Sequence, residues 1–168
     1  MKNETPDFNR MWKTVKRDIV DIAATEAKHF FEDSFENQGF TDVALEPWKQ
    51  KKTADGYKIL LRTGYLKNSI QVFEKSGKRI VIGSDAEYAE IHNNGGTLLI
   101  TNTRKAKRFF WFMYKATGQM QWKYMAMSNK PQFSIPIPKR QFIGESQTLM
   151  DKLDKELKTL IKQRFNKL

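Results

Sequence analysis

Apolar residues recur at Phe8, Met11 and Trp12, Val15, Ile19, Ile22 and Ala23, Ala27, Phe30 and Phe31, and Phe35. Intervals of three and four place them on one stripe of a helix. Thr5-Pro6-Asp7 supplies its start: a hydroxyl cap, a proline at the first helical position and a carboxylate near the positive dipole end. Gly39 supplies the stop, with Phe40 placed to fold back on the last turn. A helix from Pro6 to Gln38 would be about 50 Å long, so it is expected to bend, break or project. Residues 39–56 read as irregular, with Pro47-Trp48 as an apolar anchor that plugs the edge of the core while the neighbouring lysines face water.

Beyond this the periodicity changes. An apolar run, Tyr57 to Leu61, meets a break at Thr63-Gly64, and a short turn follows from Leu66 to Ile70. Two alternating segments joined at Ser76-Gly77 then read as a β-hairpin, the second ending at Gly83. A turn from Tyr88 to His92 and the glycine turn Asn93-Asn94-Gly95-Gly96 lead to a third strand, Thr97 to Thr101. Residues 103–129 look inserted: a helix carrying Phe109 to Tyr114, broken at Gly118, then more apolar residues. Gln132 to Pro136 alternates like an edge strand. A stiff connector through Pro138 reaches Ser146, which caps a last helix carrying Leu149, Leu153, Leu157, Leu160 and Phe165. The expected fold is α+β in a single domain, 1–168. A small antiparallel sheet (57–102 and 132–137) packs against a long N-terminal helix (1–40) and a C-terminal helix (146–168), with a helical insertion at 103–129.

Charge sharpens this picture. The net charge is +11, yet residues 1–46 carry −4 and residues 91–144 carry +9 without one acidic side chain. An acid-free block calls for a polyanion or an acidic protein surface beside it. The acidic N-terminal portion of a second copy is one such surface. Arg104, Lys105, Lys107 and Arg108 interleave with Phe109, Trp111, Phe112 and Tyr114. Such a mixture fits phosphates and unpaired bases, or a subunit interface that buries the aromatics. These eight residues are the candidate subunit or DNA contact.

Catalytic chemistry is not encoded in any pattern found. Cysteine is absent, so there is neither a disulfide framework nor a thiolate. His29 and His92 lie on different elements without a cysteine or carboxylate at metal-ligand spacing. His92 is expected to hydrogen-bond the glycine turn. Gly77-Lys78 and Gly95-Gly96-Thr97 lack the spacing of a phosphate loop, and Ser69 and Ser84 have no base nearby in sequence. The N-terminal residues lack the apolar core of a signal peptide, and no apolar run reaches membrane-spanning length. The expectation is a soluble, non-exported, non-enzymatic protein that needs no cofactor and no metal.

Three motifs, TGYLKNSI (Thr63 to Ile70), IGSDAEYAEIHNNGG (Ile82 to Gly96) and IPKRQFIGES (Ile137 to Ser146), resemble in order and spacing the phage virion morphogenesis family, the group of Mu-like G and tail-completion S proteins. The matching positions are Thr63, Gly64, Leu66, Ser69, Gly83, Tyr88, Ala89, His92, Gly95, Gly96, Pro138, Arg140, Phe142 and Gly144, and Trp48 matches a tryptophan usual before the first strand. The similarity spans Trp48 to the C-terminus. Lys139 and Gln141 stand where the family more often has alanine and proline, and the segment 104–129 is longer and more aromatic than is typical. The resemblance implies a structural protein of the head–tail junction or tail end of a tailed phage or prophage. It is then a virion component made in the bacterial host cytoplasm. Its implied partners are copies of itself in a ring-like homo-oligomer, other phage head or tail proteins and passing DNA, with no membrane. For the matched residues it implies structural roles: the glycines permit turns or close approach, and Leu66, Tyr88, Ile91 and Phe142 plug the core.

Overall fold

The computed structural model describes residues 8–51 and 56–166. The chain is mixed α+β and divides into two compact units, residues 1–94 with 139–168, and residues 95–138. In the larger unit, α1 (Phe8–Asn37) leads to a ribbon of β1 (Gly39–Thr41) and β2 (Leu45–Pro47), the short α2 (Tyr65–Asn68), a hairpin of β3 (Ile70–Lys75) and β4 (Ile80–Ser84), and α3 (Ala89–Asn94). In the smaller unit, β5 (Gly96–Thr101) is followed by α4 (Arg104–Thr117), α5 (Met120–Met127) and β6 (Gln132–Ile137); α6 (Gln147–Phe165) returns to the larger one.

The expected N-terminal helix is present, and its 30 residues amount to about 45 Å. Its start signal, Thr5-Pro6-Asp7, lies outside the described residues. The C-terminal half of the stripe enters the core through Ala27, Phe31 and Phe35, whereas Phe8 and Trp12 are exposed. The stop differs from expectation. Gln38, not Gly39, takes the left-handed conformation, at φ 55°. Its side-chain amide explains why a non-glycine residue is held there. Nε2 donates to the carbonyls of Phe35 (2.6 Å) and Ile59 (3.1 Å), and Oε1 accepts from Ile59 N–H at 2.6 Å. Gly39 is needed for space instead: a Cβ there would sit 2.5 Å from the Glu46 carbonyl oxygen across β1–β2. Phe40 folds back as expected, edge-on to Phe30 at 6.4 Å.

Two further expectations change. The run 57–61 is not a strand: Leu60 has φ 56°, and the Gln38 amide pairs with Ile59 in place of a neighbouring strand. Among the described residues, the expected single sheet is three separate antiparallel ribbons, β1–β2, β3–β4 and β5–β6. β4 runs into α3 and has no second neighbour among the described residues, while β5 pairs with β6 from Gly96↔Ile137 to Thr101↔Gln132. The alternating segments were compatible with either outcome, because period-2 patterning gives a strand's face and not its partner. The hairpin itself is as expected, with Phe73 bulged out between Val72 and Glu74.

The smaller unit has its own miniature core. Phe110, 1% exposed, stacks on Trp122 (6.1 Å, 23°) and meets Phe133 of β6 edge-on at 5.7 Å. Thr103 caps α4 by accepting from Ala106 N–H at 3.1 Å, and Gly118, at φ 69°, ends it. Asn102 ties the exit from β5 to the return into β6, donating to the carbonyls of Ser128 and Lys130 at 2.9 and 2.8 Å.

Candidate functional site

All the matching motif positions but Gly95, Gly96 and Pro138 belong to the larger unit, where several hold one another in place. Trp48 is buried, its indole N–H donating to the Gln141 carbonyl at 2.7 Å and its ring edge-on to Phe35 at 5.5 Å. Phe142 packs on the other side of Phe35 at 5.1 Å. The connector that carries Phe142 is pinned by α3. Asn93 Oδ1 accepts from both Phe142 N–H and Ile143 N–H at 2.9 Å, its Nδ2 donates to the Ile143 carbonyl at 3.1 Å, and Arg140 N–H donates to the His92 carbonyl at 2.8 Å. A connector without regular structure would otherwise bury unpaired backbone groups. Asn93 is the residue the sequence reading missed, seen there only as part of a glycine turn.

The first two motifs join through hydroxyls. Ser69 Oγ donates to the Leu66 carbonyl at 2.7 Å and lies 2.6 Å from Ser84 Oγ, which also accepts from Ala86 N–H at 3.2 Å. Thr63 Oγ1 accepts from Tyr65 N–H at 3.3 Å, and Gly64, at φ 72°, precedes α2 in a backbone conformation that favours glycine. Leu66, Ala89 and Phe142 are buried. Gly83 lies under the Phe73 ring, and Gly144 lies against the Gln141 side chain. Gly95 and Gly96 carry the chain out of α3 into β5, and Pro138 ends the connector from β6. Tyr88 departs from its expected role. It is 43% exposed and lies beside the exposed Tyr65, ring centroids 6.2 Å apart, because the first turn of α3 turns Ala89 inward and leaves position 88 at the rim.

His92 and Arg140 form a polar corner. His92 is half-buried and edge-on to Tyr88 at 5.8 Å, with Nδ1 buried and unpartnered, so its side chain does not make the expected bond to the turn. Burial, and after it the charge of Arg140, lowers the imidazole pKa below the ordinary histidine value. The guanidinium donates to the Lys49 carbonyl at 3.2 Å, and burial lowers its own pKa. Among the described residues, no group of three His, Asp or Glu could hold a metal ion, and no helix is long and apolar enough to cross a membrane.

The second candidate surface is α4. At 100° per residue the face opposite buried Phe110 carries Arg104, Lys105, Arg108, Phe112 and Lys115, all exposed, with Phe112 at 64%. Phe109 and Trp111 flank it, also exposed. Lys107 is half-buried, and Tyr114 lies between Trp111 (6.1 Å) and the Lys123 ammonium (5.8 Å). The unit from Gly95 to Pro138 holds seven basic residues and no acidic one, so its cations have no counter-charge of their own there. Two cations in the first turn also oppose the helix dipole.

The acids of α1 are in a different position. Asp18 pairs with Arg164, Asp21 with Lys75, Glu26 with Lys152, Glu32 with Lys28, and Glu36 with both Lys58 and Lys67. The hydrogen bonds from Lys67 and Lys58 bring the Glu36 carboxyl down to about 2. These pairs are exposed and contribute little stability singly. Their effect is to offset five of the acids of α1 within its own chain.

The sequence profile of the phage virion morphogenesis family matches residues 32–165. None of the curated proteins matches the chain, and none of the solved structures does.

Two outcomes follow from the polar corner. Asn93→Ala removes the shared acceptor of two backbone N–H groups and is expected to destabilise the protein by about 2–4 kcal/mol, with Asn93→Asp less damaging because Oδ1 remains; urea denaturation measures both. For His92, the folded state binds the proton less readily than the unfolded chain. The stability it contributes is complete above about pH 6.5 and is lost as pH falls below that value through the lowered pKa of the folded state. The wild-type denaturation midpoint should therefore fall between about pH 7.5 and 5.5, and His92→Phe should flatten that fall.

Proposed function

The chain belongs to the phage virion morphogenesis family, and from that premise we propose that it acts at the head–tail junction or in tail completion of a tailed phage or prophage. It works there as a non-enzymatic subunit that associates with copies of itself and with other head or tail proteins. The family supplies the role in virion structure and assembly. The finer reading is carried by the aromatic and basic face of α4, which is exposed and has no acidic residue in its own unit to offset its charge.

Exposed apolar area of this kind is favourable to bury against protein, at roughly 25 cal/mol per Å² of apolar surface. A ring assembled from identical subunits needs such a surface; a catalytic cleft does not. Nucleic-acid binding is the second reading, favoured by the absence of any acid between Gly95 and Pro138. It requires steep loss of affinity with salt.

Mass photometry and light scattering of the purified protein over a concentration series test the first reading. The wild type is expected to form higher-order species. The double substitution Trp111→Ser with Phe112→Ser should abolish them while leaving the circular dichroism spectrum that of a folded monomer, since both rings are exposed. Oligomers unaffected by that change would remove α4 from the interface.

A further inference from the structure

The face of α4 has a complement on the same chain. Asp85, Glu87 and Glu90 fall within six residues, with no cation between them. All three are exposed, and among the described residues they make no ion pair; Asp85 accepts only a hydrogen bond from Gln71 Nε2 at 3.2 Å. This sets them apart from the acids of α1, five of which are paired. Beside them lies the Tyr65–Tyr88 pair, 56% and 43% exposed. The larger unit thus presents an acidic edge with two open aromatic rings. The smaller one presents a cationic helix face with an open phenylalanine at its centre.

We propose that the α4 face of one copy docks on the Asp85–Glu87–Glu90 edge of a second copy, with Tyr65 and Tyr88 receiving Phe112 and the arginines. This rests on the self-association reading above and names its two surfaces. Arg104 and Arg108 match carboxylates through charge-assisted, bidentate hydrogen bonds and stack on tyrosine faces. Phe112 decides between this occupant and a nucleic-acid duplex. A phosphate backbone offers nothing to an exposed phenyl ring at the middle of a cationic face, whereas a tyrosine pair covers it. Because the two surfaces are different, each copy gives one and receives the other. The contact is therefore heterologous, and successive copies propagate until the rotation closes.

The test reverses the acidic edge. Glu87→Lys with Glu90→Lys should weaken self-association about a hundredfold or more, by placing like charges across the interface. Glu87→Gln with Glu90→Gln, a gentler change should the reversal unfold the protein, should weaken it less and in the same direction. Mixing the Glu87→Lys/Glu90→Lys protein, whose α4 is intact, with the Trp111→Ser/Phe112→Ser protein, whose acidic edge is intact, should give heterodimers and nothing larger by mass photometry. Wild-type protein that assembles while the 87/90 variants assemble equally well would overturn this pairing and leave self-association standing. A wild type that stays monomeric at every concentration overturns both. If that monomer binds a DNA duplex with steep salt dependence, and the 87/90 variants bind it as well, the occupant of α4 is the polyanion.

Discussion

Phe35 has no exposed surface, and what packs on it comes from two distant parts of the chain as well as from its own helix. Trp48 meets it edge-on, Phe142 leans against it, and Phe31 precedes it by one helical turn. Each aromatic pair adds roughly 0.5–1.5 kcal/mol beyond area burial, and burying each phenylalanine contributes about 1.5–3 kcal/mol. The geometric consequence is larger than either figure. Residues 35, 48 and 142 can meet only if an irregular connector crosses the core, and that connector must have its backbone groups satisfied. Trp48 Nε1 takes the Gln141 carbonyl and Asn93 takes the next two N–H groups. Of the matching positions, Trp48 and Phe142 take part in this crossing directly.

Much of this was legible in the sequence, and the remainder was hidden for definite reasons. The stripe of α1, the hairpin 70–84, the Ser146 cap with its 3.1 Å bond from Leu149 N–H, and the Gly118 stop are local. They depend on residues within a few positions of one another. The Gln38 stop was invisible because its compensation comes from Ile59, 21 residues away. The division of the strands into three ribbons was equally hidden, since the alternation in Thr97 to Thr101 is satisfied as well by β6 as by a place beside the hairpin. Asn93 reads as a turn residue until the connector is seen lying against it. For the α4 surface, the composition singled out a segment and not its faces. Only the structure separates Phe110, which is core, from Phe109, Trp111 and Phe112, which are not.

The chain also separates its charges by purpose. In the larger unit, cations and acids are near balance, and most acids of α1 are tied to lysines or an arginine from β3, α2 and α6 or the segments beside them. In the smaller unit, seven cations stand with no acid to offset them, around aromatic side chains that its small core does not use. Like charges gathered on one helix, two of them against its dipole, cost free energy in the isolated molecule. A surface of that kind is stabilised when a neighbour supplies the opposite charge. This is the physical reason for proposing the contact with a neighbour on α4, while the packing at Phe35 holds the fold.

Hydrogen–deuterium exchange followed across a concentration series tests that division most directly. The account predicts that amides of α3 and of residues 139–146 are protected at every concentration, because they belong to the fold. Those of α4 should gain protection only as copies associate. Protection of α4 that is already complete in dilute monomer and unchanged on concentration would contradict it.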